Sequence, residues 1–230
     1  MSAINSALIK NKLQDNFEDT NFDVELSDSK ILISTDAFSV KFWNVDWSQK
    51  NKIILSRISA FLGKTNKIHG RNCTIKSIDK KQAEEFLNQN HLLGFANSYH
   101  KFGLYFKGEL MAVATFSKGR KMNRLPSDKK SFELVRFANK NFTIVVGGLS
   151  KLLNHFVELK TPGDIMTYID KEWSEGKSFI KLGFVILEET EPLDFYIEND
   201  KKYLVKHQMD ESKNIEKISN AGNLKLVKTY

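Results

Sequence analysis

The segment of this 230-residue chain that most constrains its fold runs from one predicted strand through a helix to another. The segment Phe132–Ala138 is predicted to be a strand, and Gly147-Gly148 opens a helix whose apolar residues recur at helical spacing. Pro162-Gly163 ends that helix, and Ile165–Asp170 is predicted to be the next strand. Neighbouring strands joined by a crossover helix run parallel. The segment therefore predicts a crossover unit within a larger sheet.

The elements around this unit predict the rest of the sheet. Before it, the pattern indicates a strand at Cys73–Ile78, a helix capped by Asp79, and two strands around a Lys107-Gly108 turn. After it come a short helix at Ser174–Leu182 and a strand at Phe184–Glu188, and we expect the tail from Asp194 to Tyr230 to add one or two more strands. The order β-α-β-β-β-α-β-α-β-β predicts an α/β (α+β) fold, with a mixed central sheet flanked by helices.

The residues before this region predict a smaller appendage. Residues 1–16 carry a narrow apolar stripe at helical spacing, and residues 22–47 alternate in the manner of strands. A basic amphipathic helix then precedes a predicted linker at Lys64–Asn72. We expect residues 1–70 to form a helix-plus-strand appendage and residues 71–230 to form the main domain.

Composition limits the classes of protein that remain. Lysine and arginine total 35 against 28 acidic residues, a formal net charge of +7, which permits a polyanionic partner but supports one only weakly. Cys73 is the only cysteine, which excludes an internal disulfide and a cysteine-rich zinc site and is typical of a reducing cytoplasm. No window approaches the roughly 20 apolar residues of a membrane span. We expect no membrane partner, and the oligomeric state stays open.

The glycine pair and the predicted order of elements resemble the GNAT N-acetyltransferase superfamily. In that fold, the fourth strand leads into a helix whose N-terminus holds the pyrophosphate of acetyl-CoA. The matching residues here are Val146, Gly147, Gly148, Leu149, Ser150 and Lys151. A glycine pair lets a phosphate approach the backbone, and unpaired N–H groups at a helix start favour an anion. The resemblance implies acetyl-CoA or a related acyl donor as cofactor.

Several short motifs follow one another in a fixed order between residues 53 and 230. They are Arg71-Asn72-Cys73, Asn90-His91-Leu92, Glu133-Leu134-Val135-Arg136-Phe137, Val146-Gly147-Gly148, Tyr168-Ile169-Asp170 and Trp173-Ser174-Glu175-Gly176. This set resembles the C-terminal region of phage homing-endonuclease-like proteins and, beyond them, the Mom-type DNA-modification proteins of phage. The resemblance implies DNA as the partner, group transfer to a base amine, and a cytoplasmic location in a bacterial host cell. Mom-type chemistry is also associated with iron.

Three residues are candidates for catalysis. His91 follows a predicted helix end, and the Mom-type resemblance implies a catalytic or metal-binding histidine there. Tyr168 and Asp170 alternate on one strand, so both point to the same face. Capping of a helix end is the alternative for both His91 and Asp170. We expect His91 and Asp170 to meet in a cleft between the strands Phe132–Ala138 and Ile165–Asp170.

Cations between two predicted strands are candidates for nucleic-acid binding: Lys118, Arg120, Lys121 and Arg124. Such a loop can follow a phosphate backbone with salt-dependent affinity, and the alternative is an ordinary solvated loop. Arg136 lies inside an apolar strand, where a charge needs a partner or a cleft. Odd spacing predicts that Arg136 and Glu133 point to opposite faces, so we expect Arg136 to contact a phosphate or Asp170.

Three functions follow from these observations. The first is a GNAT-like transferase that modifies DNA, in which His91 or Asp170 accepts a proton and the amides near Gly147-Gly148 hold the acyl donor. The second is a non-catalytic DNA-binding module derived from a homing-endonuclease-like protein. The third is an N-acyltransferase that acts on a protein or a small molecule. Binding of acetyl-CoA and binding of DNA, measured side by side, discriminate among them.

Overall fold

A computed structural model describes residues 6–27, 29–198, 201–204 and 216–230 of the chain. Its helices are α1 (Ser6–Asn16), α2 (Asn44–Phe61), α3 (Lys80–Asn90), α4 (Gly148–Lys160) and α5 (Lys177–Ile180). Its strands are β1 (Asp23–Leu26), β2 (Lys30–Ser34), β3 (Ser39–Trp43), β4 (Asn66–His69), β5 (Thr74–Ser77), β6 (His100–Phe106), β7 (Glu109–Phe116), β8 (Ser131–Asn139), β9 (Thr143–Val146), β10 (Asp164–Asp170), β11 (Val185–Glu189), β12 (Asp194–Glu198), β13 (Lys201–Leu204), β14 (Glu216–Ser219) and β15 (Asn223–Thr229). Residues 1–5 of the predicted first helix lie outside the described residues.

The central sheet has seven strands in the order β11-β15-β10-β8-β7-β6-β5. Strands β5 to β8 are antiparallel neighbours, whereas β10 lies parallel to β8 after the α4 crossover. The predicted fold class, a mixed central sheet flanked by helices, is therefore confirmed. No helix in the described part of the chain is long and apolar enough to cross a membrane.

Helices α3 and α4 cover opposite faces of this sheet. Phe86 and Leu87 of α3 pack with Val113 of β7 in one buried cluster. Phe116 of the same strand points to the other face, because side chains alternate along a strand. There it stacks on Phe156 of α4 with ring centroids 3.9 Å apart. The sheet thus has an α3 face and an α4 face.

Main-chain pairing between β8 and β10 is short. Residues Ser131–Glu133 lie opposite Asp164–Met166. The next contact is a side-chain hydrogen bond, in which Thr167 Oγ1 donates to the Leu134 carbonyl at 3.0 Å. Strand β8 nevertheless continues to Asn139. The two parallel strands thus separate toward the end of β8 that leads into β9 and α4.

The segment predicted to be a linker contains a strand. Asn66–His69 pairs in parallel with Thr143–Val146, from Asn66 opposite Thr143 to His69 opposite Val146. The linker prediction for Lys64–Asn72 is therefore wrong. Three of the four side chains of β4 are exposed. A strand without a buried face carries no alternation of apolar and polar residues, so the pattern could not reveal it.

The chain divides into two compact units. Unit 1 comprises residues 1–51, 169–175 and 189–224, and unit 2 comprises residues 52–168, 176–188 and 225–230. Unit 1 contains the antiparallel sheet β1-β2-β3 and the sheet β13-β12-β14. Unit 2 contains α3, α4 and most of the central sheet. The expected boundary at residue 70 differs from this division, in which residues 52–70 belong to unit 2.

Candidate active site

The residue before helix α4, Gly147, leaves room for a ligand. Gly147 adopts the left-handed conformation with φ 72°, and the helix start has no side-chain cap. A Cβ on Gly147 would meet no heavy atom within 4 Å. The first N–H groups of a helix have no partner within the helix and attract an anion. A cleft of about 440 Å³ opens here, lined by Ile75, Gly147, Ser150, Lys151, Asn154, His155 and Glu158.

Lys151 shapes this cleft but is not a free cation. Its Nζ donates to the Gly70 carbonyl at 3.0 Å and to the Cys73 carbonyl at 2.5 Å. A Cβ on Gly70 would lie 3.1 Å from the Val146 carbonyl oxygen, so the Gly70 segment packs directly on the turn before α4. Burial raises the pKa of the Cys73 thiol, and the Lys151 charge offsets part of that rise. Lys151 therefore holds the segment that borders the helix start.

A bulge in β8 turns two opposite charges to the same face. Phe116 lies opposite Leu134, but Thr115 lies opposite Arg136, so Val135 is the extra residue. The extra residue reverses the alternation of side chains. Glu133 and Arg136 therefore both lie on the α3 face, and the prediction that they point apart is wrong. Burial lowers the pKa of the Arg136 guanidinium, and the Glu133 charge raises it in part.

The Arg136 guanidinium is held by main-chain carbonyls. Its Nε donates to the Gly94 carbonyl at 3.1 Å, and Nη1 donates to the Val135 carbonyl at 2.8 Å. Within the described residues, its Nη2 group has no hydrogen-bond acceptor. The cross-strand neighbour Thr115 is 0% exposed, and its Oγ1 has no hydrogen-bond partner there either. Two cross-strand neighbours on one face thus carry unused donors and an unpaired hydroxyl.

The three predicted catalytic residues fall in both units. His91 is the C-cap of α3 and lines a second cavity, of about 170 Å³. Its Nδ1 accepts from the Leu93 N–H at 3.1 Å, which assigns the proton of the neutral ring to Nε2. Tyr168 is 44% exposed on β10. The Asp170 carboxylate accepts from the Glu172 N–H at 2.9 Å. His91 and Tyr168 belong to unit 2 and Asp170 to unit 1, so their cooperation stays a prediction.

The predicted DNA-binding loop lies at the opposite end of β8 from the start of α4. It precedes β8, and Lys129 within it donates to the Thr161 carbonyl at the C-terminal cap of α4. Arg124 pairs with Asp164, with Nη2 2.6 Å from Oδ2, and the Asp164 side chain is 2% exposed. Arg124 thus neutralises a buried carboxylate. The remaining cations are exposed, and their contact with DNA stays a prediction: Lys118, Arg120 and Lys121.

The described residues offer no cluster for a metal. Within residues 6–27, 29–198, 201–204 and 216–230, no three histidine, cysteine, aspartate or glutamate side chains are grouped to hold an ion. The iron implied by the Mom-type resemblance therefore has no donor set there. By contrast, the open glycine, the uncapped helix start and the adjoining cleft fit a ligand that carries phosphate.

No family model and no curated protein matches the sequence. Several solved structures match the fold at low sequence identity. The ribosomal-protein-S18-alanine N-acetyltransferase from Escherichia coli matches with a TM-score of 0.47 and 13% identity, over 68% of this chain and 93% of that chain. Arabidopsis thaliana Naa50, in complex with a bisubstrate analogue, matches with a TM-score of 0.45 and 14% identity, over 69% and 99%. A Bacillus subtilis acetyltransferase in complex with CoA matches with a TM-score of 0.44 and 14% identity, over 69% and 99%.

These scores are too low to transfer a function. The comparisons give no support to the resemblance to homing-endonuclease-like or Mom-type proteins.

Proposed function

We propose that this protein is an N-acyltransferase that moves an acyl group from an acyl-CoA to an amine. One observation carries the proposal. The parallel strands β8 and β10 pair only as far as Glu133 and Met166. They separate toward the end of β8 that leads to α4, where the open glycine Gly147 precedes the helix. Ligands of α/β sheets bind at the carboxyl ends of strands, where neighbouring connections diverge. An elongated ligand could reach both the strands and the helix start from this opening.

The start of α4 supports the phosphate-bearing part of the acyl donor. The N–H groups of Gly148, Leu149 and Ser150 occupy the first turn, where no helical carbonyl precedes them. Their partial positive charge favours a phosphate. Lys151 acts indirectly, because its ammonium fixes the Gly70 segment beside the turn. When bound, an acyl-CoA supplies a thioester-activated acyl group.

Glu133 is placed to accept the proton that an amine loses on acylation. It is partly buried at the last β8 position that pairs with β10. Its main chain bonds Ser117, whereas its carboxylate makes no hydrogen bond or ion pair within the described residues. A carboxylate with unused lone pairs is a competent base once the amine lies within hydrogen-bond reach. Tyr168 follows Met166 by two residues and shares its face, so its hydroxyl is a second group on that side. A base role for His91 would require its bond with Leu93 to break.

A binding experiment with a matched control tests the acyl-donor site. The variant Gly147→Asp puts a negative carboxylate where the phosphate of the acyl donor would bind, so it should repel the donor. The control Gly63→Asp introduces the same side chain at another glycine in the left-handed conformation, with φ 70° and open space around it. Acetyl-CoA should raise the Tm of the wild-type protein and of Gly63→Asp, but not of Gly147→Asp. An unchanged wild-type Tm at millimolar acetyl-CoA would count against the proposal.

A kinetic experiment tests the proton acceptor. Glu133→Gln keeps the shape of the side chain but removes its basicity, so turnover with acetyl-CoA and an amine should fall by about 10²-fold or more. Its acetyl-CoA-induced Tm shift should equal that of the wild type. Full activity of Glu133→Gln would assign the proton to another group.

DNA contact by the exposed cations before β8 is a separate proposal. If it is correct, Lys118→Glu/Lys121→Glu should weaken DNA binding and flatten its dependence on salt, because fewer counterions are released. The control Lys64→Glu/Lys80→Glu removes the same charge from other exposed positions. Equal affinity of the two double variants for a duplex at low salt would exclude a specific role for the loop.

A further inference from the structure

The charges on the α3 face of β8 suggest which amines the proposed enzyme accepts. Arg136 uses Nε and Nη1 to bind the Gly94 and Val135 carbonyls, so its position is set by the backbone. A guanidinium has five N–H donors in a rigid fork. The Nη2 group finds no acceptor in the described part of the chain. A partly buried cation with an unused edge favours a carboxylate or a phosphate, which can accept two parallel bonds.

Thr115 supplies an independent observation at the same place. It lies directly opposite Arg136 in the β7–β8 pair, so the two side chains are cross-strand neighbours on one face. Its side chain is fully buried, yet Oγ1 has no hydrogen-bond partner within the described residues. Most buried hydroxyls in proteins are hydrogen-bonded, so the unpaired Thr115 hydroxyl, on the residue opposite Arg136, indicates that a polar group is missing here. An oxygen of a bound anion would satisfy both groups.

Glu133 completes the arrangement with the opposite charge. The bulge at Val135 puts it on the same face as Arg136, three positions earlier in β8. Three positions span at most about 10 Å along a strand. Among the described residues no salt bridge joins the two side chains, and Glu133 acts on Arg136 only through its charge, which raises the pKa of the guanidinium in part. The face therefore offers one site for a cation and one for an anion at a fixed separation.

Resting on the proposed N-acyltransferase function, we infer that the acceptor is a small amine that also carries an anionic group. Arg136 and Thr115 bind the carboxylate or phosphate, and Glu133 faces the amine that is acylated. The shared chemistry is that of an anion with two or more oxygens, which a carboxylate and a phosphate both supply. An amine of the same length that carries no anionic group lacks the oxygens that Arg136 binds.

A comparison of three acceptors tests this inference. Acetyl-CoA is supplied to the full chain with γ-aminobutyrate, O-phosphoethanolamine or n-butylamine, and CoA release is measured. We expect kcat/KM for at least one anionic amine to exceed that for n-butylamine by about 10- to 100-fold, the equivalent of one charged hydrogen-bonded pair. The carboxylate and phosphate arms then identify the preferred anion.

Variants assign the preference to Arg136. Arg136→Gln should raise KM for the preferred anionic amine by about tenfold or more, and this increase should exceed any change in KM for n-butylamine. Arg136→Lys, which keeps the charge but loses the fork, should be intermediate. Thr115→Val, which removes the hydroxyl at similar volume, should also raise KM. The control is Lys10→Gln, an exposed cation on α1.

The outcomes separate the inference from the function on which it rests. Transfer to n-butylamine at the rate of the anionic amines, or an unchanged preference in Arg136→Gln, overturns the inference and leaves the acyltransferase standing. Absence of transfer to every amine contradicts the proposed function. In that case, calorimetric titration of γ-aminobutyrate and O-phosphoethanolamine into the wild-type protein and into Arg136→Gln decides the inference. The inference is overturned if neither amine binds the wild type, or if both proteins bind the amines equally well.

Discussion

At the scale of single residues, positions that look alike in the sequence have different tasks in the structure. Arg124 and Lys121 belong to the same basic loop, and the pattern assigns both to nucleic acid. The structure pairs Arg124 with Asp164, a carboxylate that is almost completely buried. Lys121 is exposed. No local pattern could separate them, because Asp164 is distant in sequence and becomes a neighbour only when β10 joins the sheet.

This difference leads to a prediction about stability. Arg124→Ala leaves the buried Asp164 carboxylate without its charged partner and should lower the free energy of unfolding by about 2 kcal/mol. Lys121→Ala should change it by less than about 0.5 kcal/mol. Urea denaturation at constant m-value measures both. Equal midpoints for the two variants would show that Arg124 is as dispensable as its neighbour.

At the scale of elements, the core depends on α4 lying across the sheet. Phe156 is 0% exposed and stacks on Phe116, with Phe102 and Phe132 around it edge-on. The helical spacing of its apolar residues predicts this element, because the buried stripe of a crossover helix is wide and regular. The side chains of strand β4 are mostly exposed, so its sequence shows no alternation of apolar and polar residues from which a strand could be predicted.

Truncating Phe156 tests the α4 packing. Phe156→Ala should lower the free energy of unfolding by about 3–5 kcal/mol, since it leaves a cavity among aromatic rings. Phe156→Leu should cost less because it refills part of that volume. Thermal and urea unfolding, followed by circular dichroism, give both values. A loss below 1 kcal/mol for the alanine variant would mean that α4 does not pack as described.

The contact of β6 with α4 also makes stability depend on pH. His100 lies edge-on to Phe156, and burial lowers its pKa below the ordinary 6.5, with smaller contributions from Lys160 and Lys101. The unfolded chain then binds the proton more readily than the folded one. The free energy of unfolding should therefore fall as pH drops below about 6.5 and be insensitive to His100 above it.

The comparison with His100→Gln isolates this contribution. Between pH 7 and pH 5, the free energy of unfolding of the wild type should fall more than that of His100→Gln. A difference that stays constant over that interval would show that His100 titrates alike in the folded and unfolded chain.

At the scale of the whole molecule, the two units are not consecutive stretches of sequence. Unit 1 collects residues 169–175 and 189–224 from beyond the residues of unit 2. Within it, Trp43 and Val45 pack with Ile218 of β14, and Lys30 pairs with Glu172 at 2.5 Å. Each unit therefore requires residues from both sides of the expected boundary at residue 70.

A truncation makes this testable. A chain of residues 71–230 loses β4, which pairs with β9, and leaves Ile218 and Glu172 without their N-terminal partners. It should show no cooperative thermal transition, whereas the full chain should melt cooperatively. A truncated chain that melts as sharply as the full one would establish the boundary suggested by the sequence.

The sequence by itself determined the local elements whose signals lie within a few residues: the Asp79 capping box of α3, the glycine start and apolar stripe of α4, and the alternation that leads to a mixed sheet. Only the tertiary structure decided what those elements bring together. The bulge at Val135, which unites Glu133 and Arg136 on one face, depends on register with β7. The burial of Asp164 and the separation of β8 from β10 depend on neighbours far along the chain. Periodicity reports on neighbours within a turn or a strand, and these contacts lie beyond that range.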